Sequence, residues 1–212
     1  MRREKMQEAL KTGTTTVGIV TKDAIIVAAD KRATAGGMVA DKNITKVLQL
    51  NDRMIVTIAG VVSDIQLLIK YLKAELKLKD FKTGTQSSVK EAANLLAGFN
   101  YSGLRSQGAI AEILLAGSDP AGVHLYQVTF DGALMPVDEY EVSGSGTPFA
   151  LAVIETLYKP GMSEADGIAL AKRALTAAIE RDTASGNGYD IWTVNKQGAQ
   201  HKETVRLKNV PQ

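Results

Sequence analysis

The segment Ala24-Ile25-Ile26-Val27-Ala28-Ala29-Asp30 is rich in β-branched residues and apolar on both faces of a strand. A strand of that kind has no face to give to water, so it belongs in the middle of a layered fold, covered above and below. The neighbouring segments are read around it. Residues 15–21 form a preceding strand. Gly36 and Gly37 break the chain, and two more strands follow at 44–50 and 53–59, joined by a turn at Asn51-Asp52.

From 61 to 79 the period changes. Ile65, Leu68, Ile69, Leu72 and Leu76 recur at helical spacing, with Lys70, Lys73, Glu75, Lys77 and Lys79 on the opposite face. A second helix is expected over 89–105, opened by the capping pattern Ser88-Val89-Lys90-Glu91. Strands return at 111–116, 123–130, 133–137 and 140–142, with turns at 117–120 and Asp131-Gly132. Helices are expected at 147–158 and 163–181, the latter opened by Ser163-Glu164-Ala165-Asp166, and strands at 189–196 and 199–206 close the pattern. The order β, αα, β, αα, β predicts an α+β fold: a four-layer α-β-β-α sandwich of two stacked, mainly antiparallel sheets flanked by helices. No low-complexity linker divides the 212 residues, which are read as one domain, 14–212, behind a short charged leader, 1–13.

Charge narrows the function. The chain has 25 basic and 23 acidic side chains, of which residues 1–13 hold four and two, so the remainder balances at 21 each. A near-neutral body with 5% aromatic residues offers no basic stripe for nucleic acid. With no cysteine, thiolate nucleophiles, thiolate metal sites and disulfides drop out. No H-E-x-x-H motif or EF-hand loop is present, and no metal or cofactor is expected. The leader lacks the apolar stretch of a secretory signal, and no apolar run approaches the ~20 residues of a membrane span. The expectation is a soluble cytoplasmic protein.

The two histidines, His124 and His201, fall inside expected strands, and no G-x-S-x-G elbow is present. The turn Gly144-Ser145-Gly146-Thr147-Pro148 could cradle a phosphate at a helix start, but without a P-loop lysine it reads more readily as a strand-to-helix turn. The run Gly13-Thr14-Thr15-Thr16-Val17-Gly18 by itself reads as the beginning of a first strand. A cut between Gly13 and Thr14, however, would put a hydroxyl and a free α-amine on one residue, a nucleophile with its own base. Polar residues also stand at the ends of apolar elements: Asp30 and Arg32 end the second strand, Lys46 interrupts the third, and Asp182 through Gly186 ends the last long helix. Lys46 either faces solvent or turns inward, and inward it needs a carboxylate such as Asp30.

Seven strings carry a resemblance that spans 14–206: Gly13 to Gly18, Asp30-Lys31-Arg32-Ala33-Thr34, Asp41-Lys42-Asn43 followed by Lys46, Thr57-Ile58-Ala59-Gly60, Tyr71-Leu72-Lys73-Ala74-Glu75, Gly144 to Phe149, and Glu180 to Gly186. In that order they resemble the β-subunits of the proteasome core particle, most closely the archaeal kind, within the N-terminal-nucleophile hydrolase superfamily. The resemblance implies a threonine endopeptidase that degrades unfolded protein. Thr14 becomes the mature N-terminus by autolytic loss of 1–13, its Oγ attacks the scissile carbonyl, and its α-amine acts as base. It further implies that Asp30 and Lys46 form the charge pair beneath the nucleophile, with Lys46 either a cation or a neutral base. Ser145, Asp182 and Ser185 orient the amine, the Gly60 N–H serves the oxyanion, and the Thr34 main chain pairs with extended substrate. Ala33, Ile44, Leu48, Ile58, Val62 and Gln66 match the specificity pocket and imply cleavage after hydrophobic residues. The implied partners are further β-subunits in a ring of seven, an α-type ring and an ATP-dependent unfoldase.

Three other readings stay beside it. A non-catalytic or unprocessed assembly subunit of the same barrel would be expected to lack Thr14, Lys46 or Asp30. A different member of the superfamily, such as the two-ring bacterial peptidase, is disfavoured by Tyr71 to Glu75 and Arg181 to Gly186. A nucleotide binder would have to use the 144–148 turn.

Overall fold

The computed structural model describes residues 13–60, 62–106 and 111–207. At its centre β2 (Ile25–Asp30) is buried at all six positions, as its two apolar faces require. It pairs antiparallel with β1 (Thr15–Val20) on one side and β12 (Gly188–Asn195) on the other. With β11 (Tyr140–Gly144) outside β1 and β13 (Gly198–Arg206) outside β12, this sheet runs β11-β1-β2-β12-β13. The second sheet runs β10-β9-β8-β6-β5, from Leu134–Pro136, Gly122–Val128, Ala111–Asp119, Met54–Thr57 and Val47–Asn51. A short β7 (Ala59–Gly60) also pairs with β8.

Alternation along β2 builds the layers. Ile25, Val27 and Ala29 join Ile55, Leu114, Ala116, Leu125 and Val194 in a core between the two sheets. Ile26 and Ala28 face the other way, with Val17 and Ile19, onto Ile154, Leu170, Ala174 and Leu175 of α3 (Thr147–Leu157) and α4 (Glu164–Arg181). The second sheet turns Val56, Ile113 and Leu115 toward Ile65, Leu72 and Leu96 of α1 (Val62–Thr83) and α2 (Val89–Ser106). Each fully buried Ile or Leu contributes on the order of 1.5–3 kcal/mol, so three such layers hold the sandwich. The expected four-layer architecture is observed, with antiparallel pairing throughout the described strands.

Two details differ from the expectation. The Gly36-Gly37 break is a small ribbon, β3 (Ala33–Ala35) against β4 (Met38–Asp41), turning at Gly36 with φ of +58°. Its strands are too short to show a period. The strand expected at 44–50 begins only at Val47, so Lys46 precedes the strand rather than interrupting it; its carbonyl still accepts the Ile58 N–H at 2.9 Å.

Candidate active site

Antiparallel pairing carries the site to one edge of the first sheet. The start of β1, the ends of β2 and β11 and the start of β12 all meet there, because Thr15 lies opposite Gly144, Thr16 opposite Ala29 and Tyr189 opposite Asp30. Thr14 immediately precedes β1 and is 3% exposed. Lys46, at the head of β5, reaches across from the second sheet.

Lys46 does turn inward. Its Nζ donates to Asp30 Oδ1 at 2.6 Å, and both side chains are buried. The same carboxylate oxygen accepts the Thr15 N–H at 2.9 Å, while Oδ2 accepts the N–H groups of Arg32 and Gly186, each at 2.9 Å. Four donors on one buried carboxylate fix it rigidly. Burial pushes the Lys46 ammonium below its ordinary pKa, and Asp30 opposes that shift without cancelling it.

Lys46 Nζ also donates to the Gly13 carbonyl at 3.2 Å, and the Thr14 hydroxyl donates to the same oxygen at 2.7 Å. The Thr14 N–H donates to Ser145 Oγ at 3.1 Å, and the Ser145 hydroxyl donates to Asp182 Oδ2 at 2.6 Å. Ser185 donates to that oxygen too, at 2.6 Å. All six residues expected at the nucleophile, Thr14, Asp30, Lys46, Ser145, Asp182 and Ser185, thus join one hydrogen-bonded group.

Two glycines allow this crowding. Gly144 has φ of +101°, and a Cβ there would lie 2.0 Å from the Thr14 carbonyl oxygen. A Cβ on Gly13 would lie 1.8 Å from that of Ala184 and 2.9 Å from Ser145 Oγ.

Gly13, Thr14, Ala33, Ile44, Lys46, Ile58 and Gly60 line one crevice, with about 10 Å3 of open space beside Gly13. Leu48 packs against the core beneath α1 and α2, and Gln66 is exposed on α1. Val62 opens α1, but its side chain lies outside the described residues, as do residues 1–12 of the leader. Thr34 Oγ1 accepts the Gly13 N–H at 3.1 Å. Gly60 sits in β7 with φ of +151°, a conformation suited to glycine.

His124 and His201 lie in β9 and β13 as expected, His124 beside Asp119 at 3.4 Å. The 144–148 segment is the turn from β11 into α3. Among the described residues no three His, Asp or Glu side chains gather as a metal-binding group, and no helix is long and apolar enough to cross a membrane.

Two residues at the site carry a part that the sequence did not suggest. Arg32 donates through Nε to Asn187 Oδ1 and through Nη1 to the Thr183 carbonyl, each at 2.8 Å, and so straps the loop that bears Asp182 and Ser185. Thr15 spans the site from the other side, with its amide on Asp30 and its hydroxyl 2.7 Å from Ser185 Oγ. The Arg32–Asn187 and Thr15–Ser185 bonds each join residues more than 150 apart in the chain, so no local pattern announces them.

Two main antiparallel sheets with four helices, among the described residues, make the sandwich fold of the proteasome type of N-terminal-nucleophile hydrolase. Residues 10–194 match the family model described as proteasome subunit. The chain is 39% identical over 205 residues to proteasome subunit beta 1 of Thermococcus kodakarensis, covering 97% of this chain and 99% of that one. It is 41% identical over 195 residues to proteasome subunit beta 2 of Ignicoccus hospitalis, covering 92% and 90%, and 37% identical over 205 residues to proteasome subunit beta of Methanobrevibacter smithii, covering 97% and 98%. The chain belongs to the proteasome subunit family and is a core subunit of the β kind, within a family of peptidase hydrolases.

Proposed function

We propose that this chain is a threonine-type endopeptidase made by its own processing, and that it cuts unfolded polypeptide inside a multi-subunit barrel. The observation that carries the reading is the Gly13 carbonyl, which accepts both the Thr14 hydroxyl at 2.7 Å and Lys46 Nζ at 3.2 Å. A donor on that oxygen stabilises the charge that develops there when Thr14 Oγ attacks the carbonyl carbon. In that step Oγ gives up its proton and the C–N bond to Thr14 breaks as the nitrogen takes a proton. An ester between Gly13 and Thr14 Oγ remains. Water hydrolyses the ester, and residues 1–13 leave with a carboxylate end.

The α-amine so freed has the Ser145 hydroxyl as its neighbour, and Asp182 holds that hydroxyl in place. In later turnovers the amine, through a water, takes the Oγ proton as Thr14 attacks a substrate carbonyl and returns it to the leaving amine. Lys46, with its lowered pKa, is suited either to lend positive charge at Oγ or to relay its proton. The Gly60 N–H serves the oxyanion, Thr34 aligns extended substrate, and no cofactor enters. The apolar lining from Ala33, Ile44 and Ile58 beside Thr14 supports a preference for cleavage after hydrophobic residues.

The family supports assembly with like β-subunits in a ring of seven, with an α-type ring and with an ATP-dependent unfoldase, in the cytoplasm. Leu67, Tyr71, Leu78 and Phe81, apolar yet exposed along α1, support burial against other subunits. Intact mass of the full chain, expressed alone and with an α-type subunit, tests the core of the proposal. Loss of residues 1–13, with Thr14→Ala abolishing both that loss and peptide hydrolysis, is the expected result. Faster cleavage of fluorogenic peptides after Arg than after Leu or Phe overturns the specificity.

A further inference from the structure

We infer that Thr15 is a positioning residue that couples the two charged halves of the site and sets the direction of the hydrogen bonds in one of them, a role that rests on the threonine-peptidase reading. One half is Lys46 with Asp30; the other is Ser145, Asp182 and Ser185. Thr15 bonds to both. Its amide donates to Asp30 Oδ1, the oxygen that also accepts Lys46, and its hydroxyl stands 2.7 Å from Ser185 Oγ.

The direction of that second bond follows from counting protons. Asp182 Oδ2 accepts from Ser145 and Ser185, each at 2.6 Å, and an ionised carboxylate oxygen can only accept. Ser185 has a single hydroxyl proton, already given to Asp182, so toward Thr15 it offers a lone pair. Thr15 is therefore the donor. The order runs from the Thr15 hydroxyl to Ser185 and from Ser185 to Asp182, meeting there the run from the Thr14 nitrogen through Ser145. Removing the Thr15 proton leaves Ser185 free to turn its own elsewhere, and Asp182 loses one of the donors that hold it against Ser145.

The site keeps room for this hydroxyl. Thr15 is fully buried, and a Cβ on Gly146 would lie 1.9 Å from Thr15 Oγ1. Gly146 therefore leaves open the space the Thr15 hydroxyl occupies.

Thr15→Val keeps the shape and the backbone amide and removes only the donor. In the full chain assembled with an α-type subunit, kcat on a short fluorogenic peptide is expected to fall roughly 3- to 10-fold, the worth of one ordinary hydrogen bond, with KM within about twofold. The acid limb of the pH–rate profile moves to lower pH, because Asp182, drawn off Ser145, favours the protonated amine less. Thr15→Ser, which restores the hydroxyl without the methyl, recovers the wild-type profile.

Ser185→Ala guards against a packing effect: adding Thr15→Val to it should cost nothing further, since the partner is already gone. Wild-type kcat and pH profile in Thr15→Val overturn the inference. So do equal losses in Thr15→Val and Thr15→Ser, or additive losses in the double variant. Hydrolysis that persists in Thr14→Ala defeats instead the peptidase reading on which the coupling rests.

Discussion

Gly13 sets the tightest steric condition at the site, since any side chain there collides with Ala184 and Ser145. Gly13→Ala is expected to push the carbonyl away from Thr14 Oγ and slow loss of the leader by on the order of tenfold or more, followed by intact mass over time. Lys46 answers to a different force. Removing it by Lys46→Ala leaves Asp30 buried without its cation, which should cost about 3–5 kcal/mol of stability and abolish processing, read by thermal melting and mass together. These residues differ in how legible they are. Thr14, Asp30 and Lys46 were legible only together, through the seven strings, because singly a threonine after a glycine reads as a strand start and a lysine beside apolar residues reads equally as facing solvent. The parts played by Thr15 and Arg32 were not legible, because a buried threonine in a strand is ordinary and Arg32 stood out only as a polar strand end until their partners at Ser185 and Asn187 are known.

At the scale of elements, periodicity and capping chemistry proved sufficient wherever a segment was long. All four helices of the described residues start within one residue of their expected positions, and α2 is opened by a reciprocal box: Ser88 N–H to Glu91 at 2.8 Å and Glu91 N–H to the Ser88 hydroxyl at 3.2 Å. The β3–β4 ribbon escaped because three- and four-residue strands carry no period, leaving only the paired glycines as a sign. Lys79 of α1 and Ser88 together pull the Glu91 carboxyl down to about 2, well below its unfolded value near 4.3. A lowered carboxyl pKa stabilises the fold above the unfolded value and loses that effect as pH falls through the folded one. Glu91→Gln should therefore cost about 0.5–1 kcal/mol near neutrality. The deficit should shrink as melts are repeated from pH ~5 toward ~2.5, because the wild type then loses the same interaction.

For the whole molecule, the layer between the sheets holds Lys46 in register with Asp30, because Lys46 stands at the head of a strand of one sheet and Asp30 at the end of a strand of the other. Leu114→Ala, in the middle of that layer and fully buried, should cost about 2–5 kcal/mol. It should slow leader loss more than an equally destabilising change under α3 such as Ile154→Ala, with urea unfolding and mass measured on the same samples. If both slow it equally, global stability rather than sheet registry controls processing. The position of Thr14 at the head of β1, between β11 and β2, also bears on how the molecule can be labelled. If residues 1–13 are lost as proposed, a tag ahead of Gly13 leaves with them, whereas one beyond Leu207, past edge strand β13, stays. Two colours placed at those ends would turn each preparation into a head count, the ratio of one dye to the other giving the fraction of chains still waiting to be cut.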